Sequence, residues 1–114
     1  MSIKENQDKW ISQLRKGLLD FLLLLCLRKK DYYGYELIRE IKNSAEMDIS
    51  EGTIYPLLNR LMAEQLVTSK WVEMGTGIPR KYYTITQKGI DSLADMKKSW
   101  IEININLNKL MDQT

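Results

Sequence analysis

Apolar positions along the chain fall into helical stripes, interrupted once by a stretch of shorter period. From roughly Asp8 to Leu27, Trp10, Leu14, Leu18, Phe21, Leu22 and Leu25 share one helical face. Leu19, Leu23, Leu24 and Cys26 make the second half of that segment apolar nearly all round, so it must be covered on every side. The first half, with Lys9, Gln13 and Lys16 outward, could lie along a partner. Arg28, Lys29 and Lys30 suit the helix's C-terminal end, where carbonyls are unpaired. Asp31 is expected to cap a second helix containing Gly34 to Ile41, with Leu37, Ile38 and Ile41 on its buried face. Asn43 to Asp48 reads as a polar connection.

The third stripe organises the rest. In Ser50 to Met62, residues Ile54, Leu57, Leu58, Leu61 and Met62 follow i, i+3, i+4, i+7, i+8 spacing. Thr53, Tyr55, Asn59 and Arg60 occupy the other face. Ser50 stands where an N-cap belongs, its hydroxyl able to accept from free backbone N–H groups. Pro56 falls in the second turn, where it removes one backbone hydrogen bond and predicts a small distortion.

After Gln65 the period changes. Val67 to Glu73 and Lys81 to Thr86 are rich in β-branched and aromatic residues, and Met74 to Arg80 between them is rich in turn formers. Two strands joined by such a loop predict a β-hairpin. Thr86 can cap a last helix from about Gln87 to Met111. Leu93, Met96, Trp100, Ile103, Leu107 and Leu110 repeat there at alternating spacings of three and four, the seam of a helix that pairs with another. Ile101 to Asn108 also alternates with period two, as a strand would, but the heptad crosses it unbroken and predicts helix. At 1.5 Å per residue that helix is about 40 Å long. A rod of that length exposes its seam unless a second copy covers it, so a homodimer is expected.

The predicted class is therefore mainly α with a β-hairpin: a winged helix-turn-helix over residues 1–86, then a dimerisation helix over 87–114. A chain of 114 residues suits one small globular unit, and a net charge of +2 is too small to argue for nucleic acid by itself. The single cysteine, Cys26, sits inside a leucine run and fits an inert buried thiol in a reducing compartment. That run is too short to span a membrane and is flanked by Asp20 and by Arg28 to Lys30, which predicts a cytoplasmic protein.

Candidate chemistry changes the picture only in one direction. The chain has no histidine, no paired carboxylates framing a site and no phosphate-cradling glycine loop, so no enzyme, metal or cofactor is expected. Arrangement does favour nucleic acid. Asn59 and Arg60 lie on the open face of the third helix, where Asn can pair with adenine and Arg with guanine. Arg80 and Lys81 stand at the end of the hairpin turn, placed to neutralise phosphate. Tyr82 and Tyr83 are adjacent in a strand, so one faces inward and the other outward, and either hydroxyl could reach a phosphate. The alternative is a winged-helix protein-interaction module that never touches DNA.

Three segments carry a resemblance: Tyr33-Gly34-Tyr35-Glu36-Leu37-Ile38, Glu51-Gly52-Thr53-Ile54-Tyr55-Pro56-Leu57-Leu58-Asn59-Arg60-Leu61, and Arg80-Lys81-Tyr82-Tyr83-Thr84-Ile85-Thr86 with Gly89. Together they resemble the PadR family of bacterial transcriptional regulators, in which proline at the Pro56 position is usual. The resemblance implies a homodimeric winged-helix repressor on a palindromic DNA operator. Ser50, Thr53, Tyr55, Asn59 and Arg60 would serve the major groove, Arg80 and Lys81 the flanking backbone or minor groove, and Tyr35 and Tyr83 nearby phosphates. The dimer would be formed by Trp10, Leu14 and Leu18 with Leu93, Met96, Trp100, Ile103, Leu107 and Leu110. The single C-terminal helix is similar to a small subgroup, in one branch of which a tryptophan on the last helix sandwiches planar drugs at the dimer centre. Trp100 holds a similar place and implies a planar aromatic effector; the alternative is that it simply packs the interface. The wing departs from the family pattern, with Gly77-Ile78-Pro79 where a more basic run is frequent.

Overall fold

The computed structural model describes residues 2–75 and 77–114; Thr76, inside the expected turn, lies outside them. Helix α1 runs Ile3–Lys29 and starts well before Asp8. The cause is a reciprocal cap. The Glu5 backbone N–H donates to Ser2 Oγ at 3.1 Å, and the Ser2 N–H donates to the Glu5 carboxylate at 3.3 Å. Only the second half of α1 is core, through Leu19, Leu23, Leu24, Cys26 and Leu27.

A two-residue strand, β1 (Tyr32–Tyr33), follows and was not expected; it pairs antiparallel with β3 (Arg80–Ile85), Tyr32 opposite Tyr83 and Tyr33 opposite Tyr82. Helix α2 then spans Gly34–Ala45. Its start is capped by Glu36, whose carboxylate accepts the Tyr33 N–H at 3.1 Å, rather than by Asp31. Leu37 and Ile41 are its buried positions, with Ile38 packed against the core.

Helix α3 spans Glu51–Ala63, continuous through Pro56. Ser50 is its N-cap, but through its carbonyl, which accepts from Thr53 N and Ile54 N at 3.1 and 3.0 Å. The Ser50 hydroxyl lies instead 3.1 Å from the Thr53 hydroxyl. The C-terminal end closes as a Schellman motif, with Leu66 N donating to Leu61 O and Gln65 N to Met62 O, both at 2.9 Å. Gln65 adopts the left-handed conformation this needs, at φ 65°.

Strand β2 (Val67–Val72) and β3 form the hairpin, registered from Val67 opposite Ile85 to Val72 opposite Arg80; the sheet order is β1-β3-β2. Helix α4 covers Gln87–Asp112, so the period-two stretch is helical. Thr86 ties the start of α4 to the end of α3. Its hydroxyl donates to Gln65 O at 2.7 Å and accepts from Gly89 N at 3.0 Å, and its own N–H donates to Leu66 O at 3.0 Å. Gly89 packs so closely on the Leu66 carbonyl that a methyl group there would collide with it.

The core is one cluster in which Leu23, Leu24, Leu37, Ile41, Ile54, Leu58, Leu61 and Leu93 are fully buried. Leu93, expected in the dimer seam, is 2% exposed and belongs to this core, because the first turns of α4 pack on α1. From Lys97 to the end of α4 every residue is exposed, and the molecule is elongated at 58 × 34 × 23 Å. Among the described residues, no helix is long and apolar enough to cross a membrane.

Candidate nucleic-acid interface

Ile54, Leu57, Leu58 and Leu61 anchor α3 in the core, which turns Gly52, Pro56, Asn59 and Ala63 directly outward. Sequence periodicity drew attention to the polar residues and missed Gly52 and Pro56. Their small or compact side chains let the helix backbone approach a flat surface closely. The signal was available: a glycine and a proline four residues apart, kept in a helix against propensity. Tyr55 flanks this ridge on the side of α2, and Thr53 and Arg60 flank it on the side of α1.

Tyr55 is seated by a gap in α2. A methyl group at Gly34 would come within 2.5 Å of the Tyr55 ring and hydroxyl, so only glycine leaves room for this ring. The ring borders a cavity of about 550 Å³ between α3 and the hairpin, whose walls include Tyr33, Tyr35 and Trp71 with Arg80 and Lys81. The two cations lie over aromatic rings, Arg80 4.6 Å from the centre of Tyr33 and Lys81 5.8 Å from that of Trp71. Neither has a carboxylate partner among the described residues. The result is a cavity with aromatic walls and uncompensated positive charge. That environment receives a phosphate and its sugar well.

Two expected contact residues are placed otherwise. Tyr83 is 3% exposed; its side chain is core, and burial pushes its phenol pKa up. Tyr82 takes the less buried side of the strand and packs edge-on against Tyr33, with ring centres 5.5 Å apart. Arg60 is exposed, but its guanidinium is engaged by two carboxylates. Its Nη2 donates to Asp20 of α1 at 2.6 Å and its Nη1 to Glu64 at 3.0 Å, and both bonds hold the group firmly charged. Asp20 is forty residues away in sequence, and nothing in the local pattern points to it.

The apolar residues expected to meet a second subunit remain open. Trp10, Leu14, Trp100, Ile103, Leu107 and Leu110 are exposed, and Leu18 and Met96 are half-buried. Ile101 and Ile105, outside the heptad seam, are exposed as well. Between α1 and α4 lies an apolar cleft of about 540 Å³, bordered by Leu14, Leu18, Phe21, Met96, Trp100 and Ile103.

The sequence profile of the transcriptional regulator PadR-like family matches residues 23–95, which run from the core of α1 into α4. The structure is similar to that of a PadR family transcriptional regulator from Eggerthella lenta, with a TM-score of 0.88 at 31% identity over 97% of this chain and 96% of that one. A PadR-like transcriptional regulator from Bacillus cereus gives 0.79 at 36% identity, over 87% of this chain and 96% of that one. The negative transcriptional regulator PadR of Bacillus subtilis is 30% identical over 68% of this chain, which spans only 44% of that protein's length.

Proposed function

We propose that this chain, which belongs to the transcriptional regulator PadR-like family, is a homodimeric, cytoplasmic repressor that binds a palindromic DNA operator. One observation carries the reading: α3 presents an open ridge flanked by a hairpin whose two cations, Arg80 and Lys81, have no carboxylate partner among the described residues. The ridge enters the major groove, where Asn59 and Thr53 reach base edges. The hairpin holds the flanking backbone through Arg80 and Lys81, and Tyr35 and Tyr55 lie at the edge of the same cavity for phosphate oxygens. Arg60 keeps α3 against α1 through Asp20 instead of reading a base. A repressing role is supported by the similarity to a negative transcriptional regulator. The open apolar face on α1 and α4, which water would otherwise cover, supports the dimer.

Fluorescence anisotropy on duplexes from upstream of its own gene tests the reading. Affinity should fall steeply with salt, as for a protein neutralising about six to ten phosphates, and exceed that for scrambled duplex. Flat, indiscriminate binding overturns it. The cleft beside Trp100 supports a planar aromatic effector, whose stacking should quench tryptophan fluorescence. The quench should be lost in Trp100→Phe; if it persists there, the ligand sits elsewhere.

A further inference from the structure

The flank of α3 that faces α1 carries a second basic surface, on the side away from the hairpin. A cleft of about 320 Å³ lies there, with Ser12, Arg15 and Lys16 of α1 on one wall and Ser50 and Thr53 of α3 on the other. Arg60 is on the same flank, but Asp20 and Glu64 fill both ends of its fork and leave no uncompensated charge. Arg15 and Lys16 pair with no carboxylate among the described residues. One acid, Asp48, borders the cleft, and its carboxylate lies 3.1 Å from Lys42, which offsets it. Glu51 occupies the adjacent first turn of α3, where the helix's own free N–H groups attract it.

We propose that Arg15 and Lys16 are a second DNA backbone grip, seating phosphate on the α1 side of α3 opposite the phosphates held by Arg80 and Lys81. The inference rests on the DNA-binding reading above. Charge and donors suit the ligand: two adjacent cations, with the Ser12 and Ser50 hydroxyls on facing walls. Position suits it as well. Exposed Trp10 and Leu14 turn α1 toward the second subunit, so this flank of α3 faces the centre of a two-fold operator and the hairpin faces its ends. The recognition helix is then straddled. Contacts on both sides fix its depth and tilt in the groove without reading a base.

The test is the joint variant Arg15→Ala, Lys16→Ala, which keeps strong helix formers in α1. Four cations leave each dimer, so the slope of log affinity against log salt should flatten by about three to four. Operator and scrambled duplex should weaken by the same factor, and hydroxyl-radical protection should disappear between the half-sites while the outer protection stays. Arg15→Lys should bind as the parent chain does, because a phosphate contact needs the charge and not the fork. An unchanged slope with intact helicity overturns the grip. A weakened dimer with unchanged DNA contacts also overturns it, and assigns the pair to the partner subunit. If the parent chain binds no duplex at all, the DNA-binding reading fails and this one with it, an outcome the salt series on the parent separates from the others.

Discussion

At the scale of single residues, the tightest constraints lie where α3 ends and α4 begins. Gln65 holds a left-handed conformation that costs an L-residue roughly 1–2 kcal/mol. Gln65→Gly should therefore raise stability by about 0.5–1 kcal/mol in urea unfolding, the glycine's greater unfolded entropy taking back the rest. Gly89→Ala should do the reverse. The methyl group meets a backbone carbonyl that cannot swing aside, so a loss of about 2 kcal/mol or more is expected in the same measurement. Burial pushes the Cys26 thiol up to about 11. Above about 9 the unfolded chain gives up this proton and the folded chain keeps it, so stability falls as pH rises from about 9 to about 11. Tyr32 and Tyr83, whose phenols are also raised by burial, add to the same alkaline loss. Thermal melts across that range check the sign, which Cys26→Ala should reduce.

At the scale of elements, what was legible in the sequence is what local period and capping determine. The stripe through Ile54, Leu57, Leu58 and Leu61 defined α3 and its buried face, and Thr86 marked the start of α4. The heptad from Met96 to Leu110 outweighed the alternation of Ile101 to Asn108 because, among the described residues, the strands all belong to the β1-β3-β2 sheet and none pairs with that segment. Strand β1 was not legible. Tyr32 and Tyr33 are extended only because β3 supplies their hydrogen bonds, and two residues carry no period of their own. The fate of Arg60 was hidden for the same reason, since its partner Asp20 arrives through tertiary packing. Tyr83 and Tyr82 could be told apart only once the side of the sheet facing the core was known. The elements also divide the labour of recognition. Asn59→Ala should lose about 1–3 kcal/mol of discrimination at one base pair, whereas Lys81→Ala should weaken every duplex alike and flatten the salt slope by about two per dimer. Competition binding with single-base operator variants separates the two. Equal behaviour would mean that helix and hairpin have been assigned each other's roles.

At the scale of the whole molecule, the core lies in the middle of the chain and both long helices, α1 at its start and α4 at its end, run out of it. Leu93 is sealed in the core, whereas Trp100, Ile103, Leu107 and Leu110 continue the same side of α4 into water. Leu107→Glu should leave the winged domain folded, shift gel-filtration elution to the monomer and abolish operator binding, since a single half-site supplies only half the contacts. A single helix of this length is marginal in water without tertiary packing. Beyond Ile103, the last position of α4 that borders the cleft with α1, every residue of the helix is exposed. If two chains pair along it as proposed, its winding depends on how often they meet, and far-ultraviolet ellipticity per residue should decline on dilution well before the rest of the molecule melts. If the chain represses as proposed, it would gauge its own abundance: below a threshold number of copies per cell the paired rods would come apart and fray, and the genes under its control would be released with no inducer present.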